Sequence, residues 1–230
     1  MTKTDWLTEL FGKQIAQGHY APGTALPSEA DLCVQFDTSR NVIREVIKVL
    51  ATKKLIDAQR HRGLFVMPQD QWNYLDADVL AWVLEKGANP DLIYSLIEVR
   101  GLIEPMISRW AAERATAIDL VAIEANYNEM DSNRNDLPKF NEADIRFHKA
   151  ILMATHNVVI QQLADAISAL QRAIFDRTIL ADHAHMELTM QEHADLFDAI
   201  RRKNPEAAEK ACLGMVGRTA ERARKQKAAQ

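Results

Sequence analysis

The first 70 residues place three amphipathic helical segments ahead of two short apolar runs that flank a turn. Apolar residues recur at helical spacing over 6–15, and a second short helix fits 28–35. A third helix follows the capping cluster Asp37-Thr38-Ser39. The runs Leu55–Gln59 and Leu64–Met67 lie on either side of a turn and predict a β-hairpin. Three helices followed by a two-stranded wing is the element order of a winged helix-turn-helix.

The remainder of the chain shows helical periodicity and no strand signal. Residues 71–89 are interpreted as a linker that contains a short helix, and 90–230 as an all-α antiparallel helical bundle. The predicted helices of the bundle lie at about 90–115, 117–133, 137–155, 157–181, 187–203 and 205–226. The predicted fold is therefore mainly α, with a small β-wing in the N-terminal domain, residues 1–70.

Charge is distributed unevenly along the chain. The 230 residues carry a formal net charge of −4, yet 40–62 contains seven Lys and Arg residues against only Glu45 and Asp57. A local basic surplus in an acidic protein is what a phosphate backbone attracts. Charge alone is equally compatible with a solvated helix face, so the spacing of the side chains has to decide.

The third helix has the side chains of a recognition helix at its N-terminal end. Such a helix enters the major groove with its first residues at the base edges. Arg40 and Arg44 are four residues apart and project from one face, and arginine suits bidentate contact with guanine, as asparagine (Asn41) does with adenine. The residues predicted to contact phosphates or the minor groove are Ser28, Thr38, Ser39, Arg62 and Gly63.

The bundle contains a possible metal-binding set. Asp144 and His148 are one helical turn apart, and His193 lies on a later helix. Two imidazoles and a carboxylate suit a divalent cation, Zn²⁺ first, with Ni²⁺, Mn²⁺ or Fe²⁺ as alternatives. From spacing alone, a hydrogen-bonded core group is the alternative. A metal-dependent enzyme using the same three residues is a remote alternative function, since no further residue stands out as a general base.

The N-terminal motifs resemble the DNA-binding domain of the GntR family of bacterial transcription regulators. The bundle resembles the FCD effector domain of the FadR subfamily. The motifs that carry the two resemblances are Pro22-Gly-x-x-Leu-Pro-Ser-Glu29, Thr38-Ser-Arg-x-x-Ile-Arg-Glu-Val46, Arg62-Gly-x-Phe-Val66, Glu98-x-Arg-x-x-x-Glu104, Asp144-x-x-Phe-His148 and Glu192-His193. The resemblance implies a homodimeric repressor that binds double-stranded operator DNA and is released by a small carboxylate. An architectural DNA-binding protein without effector is disfavoured, because the bundle would then have no role.

The resemblance also bears on the effector and the metal. The stretches 71–80 and 141–148 are similar to those of members that respond to D-galactonate, which implies a sugar-acid effector; another hexonate, a uronate or an organic acid is the alternative. Arg100 is predicted to hold the effector carboxylate, because its planar fork matches that group. Met215 stands where related domains often have a further metal-binding histidine, so weaker metal affinity is expected. Further predicted effector contacts are Asn141, Arg172, Arg177 and Asp182.

The remaining histidines and cysteines have simpler interpretations. His183 and His185 are expected to be exposed in a loop, and His156 to cap a helix. Cys33 and Cys212 lack a CxxC spacing and are interpreted as small apolar residues in a reducing compartment. With no run of about 20 apolar residues and no signal-peptide pattern, the chain is expected to be cytoplasmic and to have no membrane partner.

Overall fold

A computed structural model describes residues 1–59, 63–85, 90–178 and 183–228. The chain divides into two compact units, Met1–Ala88 and Asn89–Gln230. Residues 71–85, the described part of the predicted linker 71–89, lie within the first unit. Within the described residues, no helix is long and apolar enough to cross a membrane. The predicted fold class is confirmed: the described residues are mainly helical, with one two-stranded antiparallel sheet.

The first unit has the predicted order of three helices followed by a hairpin. Its elements are α1 (Lys3–Ala16), α2 (Glu29–Gln35), α3 (Arg40–Thr52), β1 (Ile56–Gln59), β2 (Gly63–Val66), a 3₁₀ turn (Gln69–Gln71) and α4 (Ala77–Glu85). The two strands pair antiparallel from Ile56 with Val66 to Gln59 with Gly63. The apolar faces of the helices and of the hairpin meet in one core, which removes their apolar surface from water.

Helix α4 belongs to this unit because its side chains, and that of the residue before it, contact α1 and the end of α3. Trp82 is buried, and a Cβ built on Gly12 of α1 would come within 2.1 Å of its ring. Lys53, just after α3, donates to Asp76 at 2.7 Å and to Asp78 at 2.8 Å. The Lys53 ammonium is itself largely buried, so these two carboxylates supply the partners that it would otherwise find in water.

The second unit is a bundle of helices. They are α5 (Pro90–Arg114), α6 (Ala117–Ser132), α7 (Leu137–Met153), α8 (Val158–Gln161), α9 (Ala164–Thr178), α10 (His183–Arg201) and α11 (Pro205–Ala228). Helix α11 packs along α5, α6 along α7, and α10 against α11. Buried aromatic residues of α7, Phe140 and Phe147, fill its interior.

Two helix boundaries in the bundle differ from the predictions. The predicted helix 157–181 is two helices, α8 and α9. The main-chain NH of Leu163 bonds to the carbonyl of Ile160, three residues back, which tightens the chain and ends α8. The sequence has no glycine or proline at this break, and its apolar periodicity continues across it. One continuous helix was therefore predicted. Helix α10 begins at His183, four residues earlier than predicted.

The prediction that His156 caps a helix is wrong. The side chain of Asn157 accepts from the NH groups of Val159 and Ile160 and so forms the N-cap of α8. His156 instead adopts a positive φ of 49° and forms a 2.8 Å hydrogen bond with the Asp119 carboxylate of α6.

Candidate functional site

The turn between α2 and α3 determines where the predicted recognition helix begins. Asp37 adopts a left-handed backbone with φ of 43°, a conformation that aspartate tolerates better than most residues. The chain then reverses, and the NH of Thr38 bonds back to the carbonyl of Cys33. Ser39 forms the N-cap of α3 through its side chain and the NH of Val42. The first turn of α3 therefore starts at Arg40.

The outer face of α3 is polar and its inner face is buried. Arg40, Asn41 and Arg44 are exposed, whereas Ile43 and Val46 are buried in the core of the first unit. Arg44 donates from Nε to the Glu29 carboxylate of α2 at 3.0 Å. This ion pair uses Nε, and no other described residue bonds to the two terminal nitrogens of Arg44.

The residues predicted to contact phosphates or the minor groove are only partly described. Ser28 forms a capping box with Asp31, in which its hydroxyl accepts from the Asp31 NH and donates to the Asp31 carboxylate at 2.7 Å. Gly63 at the start of β2 has φ of 101°, a conformation that side chains rarely adopt. Arg62 lies outside the described residues.

The predicted metal-binding side chains meet inside the bundle. One ligand atom from each of Asp144, His148 and His193 lies within 4.8 Å of the others. His193 Nε2 is 2.7 Å, and His148 Nε2 3.5 Å, from the same oxygen of Asp144. The three side chains are largely buried. Both imidazoles therefore direct a ring nitrogen at one carboxylate oxygen.

The electrostatics of this group suit a cation. Burial by itself raises the pKa of Asp144, but the hydrogen bonds with His148 and His193 outweigh it and hold that pKa well below the usual value. Asp144 is therefore an anion. A buried carboxylate flanked by two imidazole nitrogens is a donor set that Zn²⁺ and similar divalent cations accept.

These three residues line a pocket formed by α5, α7, α9, α10 and α11. Its walls contain the following residues: Arg100, Glu104, Phe140, Asp144, His148, Gln171, Ile174, Phe175, His185, Thr189, Glu192, His193, Cys212, Met215, Val216, Thr219 and Arg222. The pocket brings metal-ligand types, cationic groups and hydroxyl groups together, as a site for a small polar acid requires.

Arg100 lies in this pocket, as a carboxylate anchor should, but it has an internal partner. Its Nε and Nη2 donate to the two oxygens of Glu104 at 2.7 and 3.0 Å. Burial lowers the pKa of Arg100, and the Glu104 carboxylate more than compensates, so that pKa is raised overall. The guanidinium retains its charge and one nitrogen, Nη1, that Glu104 does not use.

The other predicted effector contacts do not join the pocket as described. Asn141 is buried on α7 but is not part of the pocket wall. Arg172 is exposed on α9 and forms an ion pair with Glu142. Arg177 lies on α9 with its side chain outside the described part of the chain, and Asp182 lies outside it altogether.

Several residues of the pocket were not predicted from the sequence. His185 was expected to be exposed in a loop, which is wrong: it is buried on α10 and lines the pocket. Gln171 is 4% exposed on α9. Gln171 lies at helical spacing between Ile167 and Ile174, and this position could have indicated that it is buried. A polar residue in an apolar stripe needs a hydrogen-bond partner inside the protein.

Comparisons with known proteins agree with this architecture. Residues 8–66 match the model for bacterial regulatory proteins of the gntR family, and residues 95–218 match the FCD domain. The chain is also 55% identical over 222 residues to the galactonate operon transcriptional repressor of Escherichia coli K12, covering 96% of this chain and 97% of that protein. The chain belongs to the GntR family and carries an FCD domain.

Solved structures show the same fold at low identity. A GntR protein of Streptococcus agalactiae aligns over 95% of this chain and 99% of its own, with a TM-score of 0.53 and 23% identity. Lar of Listeria monocytogenes aligns over 98% of each chain, with a TM-score of 0.66 and 18% identity. Membership of the GntR family makes this chain a DNA-binding transcription regulator, as predicted, and not an enzyme.

Proposed function

We propose that this GntR-family regulator represses an operon for sugar-acid catabolism and is released from its operator by D-galactonate. The observation that carries the proposal is the 55% identity, over nearly the whole of both chains, to a galactonate operon repressor. The pocket of the FCD domain supports it chemically, because it combines a possible metal site with a buried arginine.

In this proposal Asp144, His148 and His193 would hold a divalent cation. When bound, the cation would offer coordination positions to the carboxylate and α-hydroxyl oxygens of a 2-hydroxy acid. Arg100 would hold the effector carboxylate through the nitrogen that Glu104 does not use. Met215 lines the pocket in place of a further histidine, and a thioether is a poor ligand for a hard ion.

In the DNA-binding step, Arg40, Asn41 and Arg44 would contact base edges in the major groove. Ser28, Thr38, Ser39, Arg62 and Gly63 would contact the backbone or the minor groove. A homodimer would place two such helices over paired half-sites. The effector controls the regulator only if it binds the DNA-free arrangement more tightly than the DNA-bound one.

The experiment measures release from an operator that the protein itself selects from random DNA. The selected fragment is labelled, and its fluorescence anisotropy is recorded with Zn²⁺-loaded protein as D-galactonate is added. The expected result is a loss of anisotropy with D-galactonate and none with the stereoisomer D-gluconate at the same concentration. Unchanged anisotropy with D-galactonate would contradict the proposed effector, and failure to select any DNA site would contradict the assignment of the recognition helix.

A further inference from the structure

Gln171 and Glu104 form a buried hydrogen-bonded pair on the wall of the FCD pocket. Gln171 Nε2 donates to Glu104 Oε1 at 3.4 Å, and both residues are 5% exposed or less. A carboxylate only accepts, so this bond fixes which end of the Gln171 amide is the nitrogen. The amide oxygen is therefore the free end of the side chain.

The amide oxygen of Gln171 has no hydrogen-bond partner among the described residues. A buried acceptor without a donor costs free energy, because its hydrogen bond to water is lost and no bond within the protein replaces it. Thr189, from α10, places its hydroxyl in the wall of the same pocket, and this hydroxyl also has no partner in the described part of the chain. Two unsatisfied groups in one pocket indicate a ligand that carries hydroxyl groups.

The Arg100 ion pair holds Glu104 in place as the third member of this wall. Because Arg100 donates to both carboxylate oxygens, the Glu104 side chain is held in one orientation. Glu104 thus presents acceptor lone pairs toward the pocket, and a carboxylate forms stronger hydrogen bonds with hydroxyl donors than a neutral group does.

We propose that Gln171, together with Glu104, selects effectors by the hydroxyl groups beyond C2. The inference rests on the proposed function. A metal and Arg100 would bind the carboxylate and α-hydroxyl, which every 2-hydroxy acid has. Only a polyhydroxylated acid has further hydroxyl hydrogens to donate to the Gln171 oxygen and the Glu104 carboxylate. This wall therefore distinguishes a hexonate from a 2-hydroxy acid with an apolar tail.

The first test needs only the unmodified protein. Dissociation constants are measured by calorimetry on the full chain with Zn²⁺ for D-galactonate and for 2-hydroxyhexanoate, which has the same six carbons and no hydroxyl beyond C2. We expect D-galactonate to bind at least about tenfold more tightly, since each unpaired polar group is penalised. Equal affinity for the two acids would overturn the inference while leaving the proposed function intact.

The second test uses Gln171→Met, which keeps the length of the side chain and removes its hydrogen-bonding groups. The control is Gln191→Met, the same change at an exposed position of α10. We expect Gln171→Met to weaken D-galactonate binding about tenfold and to leave 2-hydroxyhexanoate binding unchanged, with no effect of the control.

The other outcomes are each decisive. Equal weakening of both acids by Gln171→Met would show a merely structural role and overturn the inference, as would unchanged D-galactonate binding. If the unmodified protein bound neither acid, the proposed function would fail first and this inference with it.

Discussion

His193 forms a 2.7 Å hydrogen bond from Nδ1 to the main-chain carbonyl oxygen of Thr189, one helical turn earlier on α10. The carbonyl only accepts, so the Nδ1 atom carries the proton, and the ring is turned with Nε2 toward Asp144. A hydrogen bond from the second ring nitrogen is the arrangement that orients metal-binding histidines in proteins. The Nε2 atom then faces Asp144 Oδ1 at 2.7 Å, on the side where a metal would bind.

The first prediction concerns metal removal. Treatment with EDTA is expected to lower the thermal unfolding midpoint, and Zn²⁺ to restore it. A ligand that binds only the native state at 100 times its Kd stabilises it by about 2.7 kcal/mol. Thermal unfolding of the full chain measures the shift, and Asp144→Asn serves as the control that should abolish it. If none of Zn²⁺, Ni²⁺, Mn²⁺ and Fe²⁺ moved the midpoint of the EDTA-treated protein, the metal site would be refuted.

The second prediction separates effector response from DNA binding. His148→Ala is expected to leave operator affinity within about twofold and to abolish release by D-galactonate, because one of three ligands is lost while α3 is unchanged. Operator anisotropy with and without the acid measures both. His156→Ala, at an exposed histidine paired with Asp119, is the control and should respond normally. Normal release by the His148 variant would exclude this residue from the effector site.

The third prediction concerns sequence recognition by α3. Arg44→Ala is expected to cost about 1–3 kcal/mol in operator binding and to relax preference at one base pair, as loss of a bidentate base contact does. Binding to the selected operator and to its single-base variants measures both effects. Arg172→Ala removes an exposed arginine of the FCD domain and is the charge-matched control. A uniform loss across all DNA sequences would instead indicate a phosphate contact.

The fourth prediction concerns the attachment of α4 to α1. Gly12→Ala is expected to destabilise the first unit by about 1–3 kcal/mol, because the new methyl group overlaps the Trp82 ring. Urea-induced unfolding measures the change in the free energy of unfolding. In a Trp82→Ala background the same change should be neutral or stabilising, since alanine favours a helix over glycine. Gly217→Ala on α11, where a Cβ meets nothing within 4 Å, is the control. Equal effects of Gly12→Ala with and without Trp82 would refute the contact.

Local sequence signals predicted the first unit well. Ser28, Ser39 and the apolar stripe of α3 each act within a few residues, so their spacing alone indicated where α2 and α3 begin and which face is exposed. The grouping of Asp144, His148 and His193 was predicted partly for a similar reason, because Asp144 and His148 are one turn apart on a single helix. The break at Leu163 could not be predicted, because nothing in the local sequence interrupts the apolar periodicity there.

Tertiary structure decided what the pocket contains. The sequence by itself determined the family motifs, the helical bundle and the candidate ligands Asp144, His148 and His193, since these follow from residue type and spacing. It could not show that His185 is buried, or that Arg172 pairs with Glu142 and does not line the pocket. Those facts depend on how separate helices pack, because burial and partners come from residues distant in the chain. The selective wall around Gln171 exists only where α5, α9 and α10 meet.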